Sequence, residues 1–298
     1  MKVTGVFAPI ATNFDESGGL DLCAYADNAK RLGGSRLAGL VALGTNGEFV
    51  SLSCEEKLSL IRETRKVLPA SKLVIAGVGH ESTAATVRFT RDAASEGADV
   101  ALLLNPTYHK RDLGPDALEK FFLDVADASP IPVMIYNMPV NSGINIPSAL
   151  TIKLSQHENI VGIKDSGGNI VQIAEIIAGT APDFSVFAGS GSYLFATSML
   201  GGVGGTLAVA NIAPNFCADL HDSCASGEVD RAREMQLDLL PLNAAVTTRF
   251  GIGGLKAALD CVGMHGGNPR LPILPAKGPD REEIAAIVER LRAKYGYL

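Results

Sequence analysis

The sequence predicts an α/β protein, a (β/α)8 TIM barrel with a C-terminal helical extension, and three observations carry that prediction. The 298 residues are 47% hydrophobic and 19% charged, enough to bury one large core. Short apolar runs recur about eight times and are near-continuous rather than alternating, as in strands covered on both faces. Each run leads through a polar loop into a helical segment, and that many repeats exceed a doubly wound sheet.

The runs are Gly5–Ile10, Gly39–Leu43, Leu73–Val78, Val100–Leu104, Val133–Tyr136, Ile160–Lys164, Ser185–Ala188 and Thr206–Ala210. Between the second and third, Ser53 followed by Glu56 three residues on is a capping box that starts a helix. The next helix spans about Ser82 to Glu96 and stops at Gly97; others start near Pro115, Pro147, Asn169 and Ser192. The barrel is expected to occupy residues 1–222. Residues 223–298 are expected to pack on it as helices Glu228–Leu240, Ile252–Val262 and Arg281–Lys294. Pro269, Pro272, Pro275 and Pro279 stiffen the connection before the last of these.

A net charge of −6 argues against a nucleic-acid partner, because phosphate backbones select a basic face. The five cysteines are odd in number and scattered without a C-x-x-C pair, the usage of reduced thiols. The N-terminal apolar run is too short and broken for a signal peptide, and no stretch is long enough to span a membrane. The expectation is a cytoplasmic protein, or an organelle-matrix one if a targeting segment was removed, with no membrane partner.

Barrels place their chemistry where strands end. Lys164 closes the apolar run Ile160-Val161-Gly162-Ile163, where desolvation disfavours an ammonium and favours a nucleophilic amine able to form a Schiff base with a ketone. Its bland alternatives are snorkelling to solvent or pairing with Asp165. Tyr136 ends the preceding strand and could shuttle protons for that amine, or simply plug the barrel end. Gly44-Thr45-Asn46-Gly47 could curl its N–H groups around a carboxylate, or be a tight loop. Lys256, also in apolar company, reads as a helix-surface position. The five histidines lack metal-ligand spacing, so no metal is expected. Gly189-Ser190-Gly191-Ser192 keeps a phosphosugar substrate open, or serves close backbone packing.

Gly44-Thr45-Asn46-Gly47-Glu48, Tyr136-Asn137-x-Pro139 and Ile163-Lys164-Asp165-Ser166 resemble three signatures of the dihydrodipicolinate synthase / N-acetylneuraminate lyase family. Their order, spacing and strand-end positions match, and the resemblance covers essentially the whole chain. It implies a pyruvate-dependent class I aldolase on a (β/α)8 barrel, needing no cofactor beyond its imine and assembling as a homotetramer, a dimer of dimers. Lys164 matches the Schiff-base lysine and Tyr136 the catalytic tyrosine. Thr45 matches the hydroxyl that relays protons to a second tyrosine, here Tyr108, which in the family reaches across a dimer interface. The pyruvyl carboxylate would sit on the Thr45–Asn46 backbone, with Gly189 beside the substrate.

Synthases of this family carry an arginine where Asn141 stands, and exchanging a bidentate cation for an amide disfavours the synthase reaction. The sialic acid lyase branch does not share Asn46. Thr45–Phe49, Lys164–Gly168 and Asn243–Gly251 most resemble the 4-hydroxy-2-oxoglutarate aldolase branch, where Asn46 and Ser166 would line the second-substrate pocket near Asn141. Fungal 2-keto-3-deoxy sugar acid aldolases are similar as well. The implied reaction cleaves a 4-hydroxy-2-oxo acid to pyruvate and an aldehyde, with glyoxylate favoured. A non-catalytic pyruvate-binding paralogue is the alternative outside enzymology.

Overall fold

The first seven apolar runs each become a parallel strand in a computed structural model that describes residues 1–298, and the eighth strand lies just ahead of its run. The strands are β1 (Gly5–Pro9), β2 (Gly39–Ala42), β3 (Leu73–Val78), β4 (Val100–Leu104), β5 (Val133–Asn137), β6 (Ile160–Asp165), β7 (Ser185–Ala188) and β8 (Gly204–Thr206). Each pairs with its neighbour in chain order and β1 closes on β8, so the predicted barrel is the observed fold. The eighth strand is displaced from its expected place. It ends at Thr206, and Ala208–Asn211 is a short 3-10 helix. Gly204 lies so close to β1 that a Cβ there would sit 2.1 Å from the Gly5 carbonyl oxygen. Glycines therefore make the closure, and a search for branched residues passes over them.

The helices between strands are α1 (Leu22–Gly33), α2 (Cys54–Val67), α3 (Thr83–Ser95), α4 (Pro115–Ala128), the single turn α5 (Pro139–Ser142), α6 (Ser148–Leu154), α7 (Ile170–Gly179) and α8 (Leu194–Met199). Local chemistry sets their starts. Ser53 and Glu56 complete the capping box of α2, Ser82 accepts from Ala85 N–H at α3, and Asn169 caps α7. After β8 come α9 (Pro214–Ala225), α10 (Val229–Ala244), α11 (Gly251–Cys261) and α12 (Gly278–Tyr295). Residue 222 lies within α9, which packs against β1 and α8. A π-helical turn, Ala245–Arg249, joins α10 to α11.

Two apolar layers result. The outward faces of the strands and the inner faces of the helices form the larger one. Phe7, Val41, Ile75, Leu102, Met134 and Phe187 fill the barrel itself, all but closed to solvent. Lys256 is not on a helix surface: α11 is buried through Gly253–Leu259, and the Lys256 ammonium lies 2.8 Å from the Glu48 carboxylate. No helix is long and apolar enough to cross a membrane.

Candidate active site

A register shift at Val133/Met134 lets β5 and β6 run side by side with Tyr136 opposite Lys164. Residues in register on neighbouring parallel strands point to the same face, so the phenol and the amine enter the barrel together above its apolar filling. The Lys164 Nζ is 3.9 Å from the centre of the Tyr136 ring, and the two residues are only 3% and 4% exposed. Lys164 thus neither snorkels nor pairs with Asp165. Asp165 faces the other way, accepting from Asn137 Nδ2 at 2.7 Å, Gly167 N at 2.9 Å and Gln172 Nε2 at 3.2 Å.

Burial alone would raise the Tyr136 phenol, but the positive charge of Lys164 and hydrogen bonds with Thr45, Lys164 and Ser166 bring it below the usual tyrosine value. The Thr45 Oγ1 to Tyr136 OH distance is 3.1 Å. Thr45 opens a 3-10 turn, Thr45–Gly47, whose own bonds use the amides of Gly47 and Glu48. The leading amides of such a turn, those of Thr45 and Asn46, have no partner within it. Two non-glycine residues with left-handed backbones flank it, Leu43 at φ 61° and Glu48 at φ 55°. Each such conformation costs about 1–3 kcal/mol, a strain typical of functional sites.

Ser166 reaches Tyr136 from the end of β6, and Gly189 makes room for it. A Cβ at Gly189 would lie 2.0 Å from Ser166 Oγ and 2.6 Å from the Asp165 carbonyl oxygen. The hydroxyls of the following serines are tied to α10 instead: Asn243 Nδ2 donates to Ser192 Oγ at 2.7 Å and to Ser190 Oγ at 3.2 Å.

Beside Thr45 opens a cavity of about 290 Å³, with His80, Thr107, Asn141, Ile252 and Ile273 on its walls. Asn141 is therefore at the cavity, whereas Ser166 and Gly189 lie at the Tyr136–Lys164 end and Asn46 follows Thr45 in its turn. No lysine or arginine lines it, and burial, with Lys57 and Arg88 nearby, pushes His80 below the ordinary histidine value. Ile252 and Ile273 arrive from the C-terminal region, and nothing in their local pattern marks them as lining residues. Tyr108 lies outside this cavity and is 80% exposed. Glu81 fixes its loop, accepting from the N–H groups of Thr107 and Tyr108 and from Thr107 Oγ1. No three His, Cys, Asp or Glu side chains converge as a metal site would require.

A buried lysine beside a buried phenol at a barrel mouth coincides with a match to the Dihydrodipicolinate synthetase family over residues 2–291. The chain belongs to this family. A probable mitochondrial 4-hydroxy-2-oxoglutarate aldolase of Emericella nidulans is 35% identical, covering 96% of this chain and 93% of that protein. An L-threo-3-deoxy-hexylosonate aldolase of Hypocrea jecorina is 34% identical, covering 97% and 95%. Among solved structures, a prophage protein of the dihydrodipicolinic acid synthase family from E. coli K12, in complex with pyruvate, superposes with TM-score 0.90. It is 29% identical and covers 97% of this chain and 98% of that one.

Proposed function

We propose that this family member is a Schiff-base aldolase, cleaving a 4-hydroxy-2-oxo acid, with 4-hydroxy-2-oxoglutarate favoured, to pyruvate and an aldehyde. The observation that carries the reading is the Tyr136–Lys164 pair, buried in register with Thr45 on the phenol. The Lys164 amine adds to the C2 ketone, and Tyr136 gives its proton to the departing hydroxyl, so that water leaves and a protonated imine remains beside a phenolate. The Tyr136 phenolate takes the proton of the C4 hydroxyl, relayed through Thr45. The C4–O bond becomes a carbonyl as the C3–C4 pair moves into an enamine, the imine nitrogen accepting charge. Protonation at C3 and addition of water release pyruvate and restore the amine. No cofactor or metal enters these steps, because the iminium is the electrophile.

The substrate carboxylate would rest on the Thr45 and Asn46 amides, with Gly189 close by, and the second fragment beside Asn46, Ser166 and Asn141. Tyr108 would complete the relay from a neighbouring subunit, in a dimer within a homotetramer. A 2-keto-3-deoxy sugar acid is the second reading. What supports it is the cavity, whose walls offer Thr107, Asn105, Asn141 and Ser142 as partners for sugar hydroxyls. The synthase reaction is disfavoured by Asn141, which stands where that reaction's arginine would be needed.

Condensing pyruvate with glyoxylate, glyceraldehyde, aspartate semialdehyde or N-acetylmannosamine in parallel tests these readings. Glyoxylate turnover supports the first, and glyceraldehyde turnover in its place supports the second. No product with any aldehyde overturns both. In Lys164→Ala the circular dichroism should stay native while turnover falls by at least ~10³-fold.

A further inference from the structure

The residue that closes the Thr45 turn is held from the far end of the chain. Glu48 follows the turn directly and donates its N–H to the Thr45 carbonyl at 3.0 Å. It is 1% exposed and keeps a left-handed backbone that a side chain rarely adopts unaided. One carboxylate oxygen, Oε2, accepts from the Arg270 N–H at 2.8 Å. The other, Oε1, is answered only by the Lys256 ammonium at 2.8 Å. Lys256 is completely buried, donates to the Asn268 carbonyl at 2.8 Å and lies 4.6 Å from the centre of the Phe14 ring. Arg270 grips the same loop further on, at the Ser51 carbonyl and the Glu56 carboxylate.

A buried ion pair adds little stability over a well-packed apolar pair of the same shape, while removing one partner alone is costly. Its effect here is on position. We propose that Lys256 is a positioning residue of the aldolase site: by fixing Glu48 it sets the Thr45 hydroxyl against Tyr136 and the Thr45 and Asn46 amides toward the substrate carboxylate. The C-terminal helical region thereby takes part in catalysis without touching substrate. This inference rests on the aldolase reading.

The test is a double-mutant comparison. Glu48→Gln/Lys256→Met removes both charges at nearly constant volume, leaving no unpaired ion. It should keep native circular dichroism, while kcat falls about tenfold or more and the pyruvate KM rises, as expected of a displaced catalytic loop. In a Thr45→Val background the same pair of changes should cost kcat less than about threefold, because the relay they position is already gone. Lys256→Arg, which keeps the charge, should recover part of the kcat lost in the doubly neutral protein.

Wild-type kcat and KM in the doubly neutral variant would overturn the proposal. So would a full loss repeated in the Thr45→Val background, since general damage multiplies rather than saturates. Should the double variant fail to fold, deuterium exchange on Lys256→Arg, which keeps the ion pair but shifts the carboxylate it holds, decides. The Gly47 and Glu48 amides should exchange faster than in wild type, and unchanged exchange would overturn the idea. If the wild-type protein has no aldolase activity, that reading fails, while the exchange result still reports on the loop.

Discussion

Tyr136 is a buried phenol whose neighbours hold it below its ordinary pKa: burial works upward, and Lys164, Thr45 and Ser166 more than offset it. A phenol acting as base works in its ionised form, so activity should rise with pH through that pKa. A lowered value moves the rise toward neutrality. Thr45→Val deletes one of the lowering contacts, so the rising limb of kcat/KM should shift to higher pH, and Ser166→Ala should shift it the same way. A limb that stays put or moves to lower pH in both variants would remove these contacts from the account of the base. Tyr136→Phe should lower kcat by about 10²–10⁴-fold. Lys164 and Tyr136 were legible in the sequence because each ends an apolar strand run with a polar group that packing does not require. Glu48 and Lys256 were not. Their partnership spans most of the chain, and a lysine within Gly253-Gly254-Leu255-Lys256-Ala257-Ala258 reads locally as one polar position on a helix.

At the scale of elements, the site depends on close approaches that side chains would block. Gly189→Ala would drive a methyl into Ser166 Oγ and the Asp165 carbonyl. Thermal melting should show a loss of about 1–3 kcal/mol, with Ser166 displaced from Tyr136. A variant with wild-type stability and activity would contradict the crowding between β6 and β7. Ser53→Ala removes the cap of α2 and should cost ~1 kcal/mol in denaturant unfolding. It should leave the pyruvate KM unchanged, because Arg270 holds the loop independently through the Ser51 carbonyl. Strands and capped helices were readable because burial and capping leave local patterns. The eighth strand was misplaced because its residues are chosen for lack of a side chain where β1 and β8 meet.

At the scale of the whole molecule, one chain brings Lys164, Thr45 and Ser166 to Tyr136, while Tyr108 faces solvent on a loop pinned by Glu81. If a second subunit supplies that phenol, Tyr108→Ala and Lys164→Ala proteins should each be inactive. Mixed dimers should recover activity at the one site that has both groups. A mixture no more active than its components would place Tyr108 outside the reaction. The aldolase reading as a whole turns on whether the buried amine condenses with a keto acid. Incubation with pyruvate and borohydride, followed by peptide mass spectrometry, reads this directly. The peptide bearing Lys164 should gain the mass of one pyruvate less one oxygen atom, and Lys164→Ala should gain nothing. An unmodified wild-type protein, or an adduct on another residue, would contradict the Schiff-base mechanism.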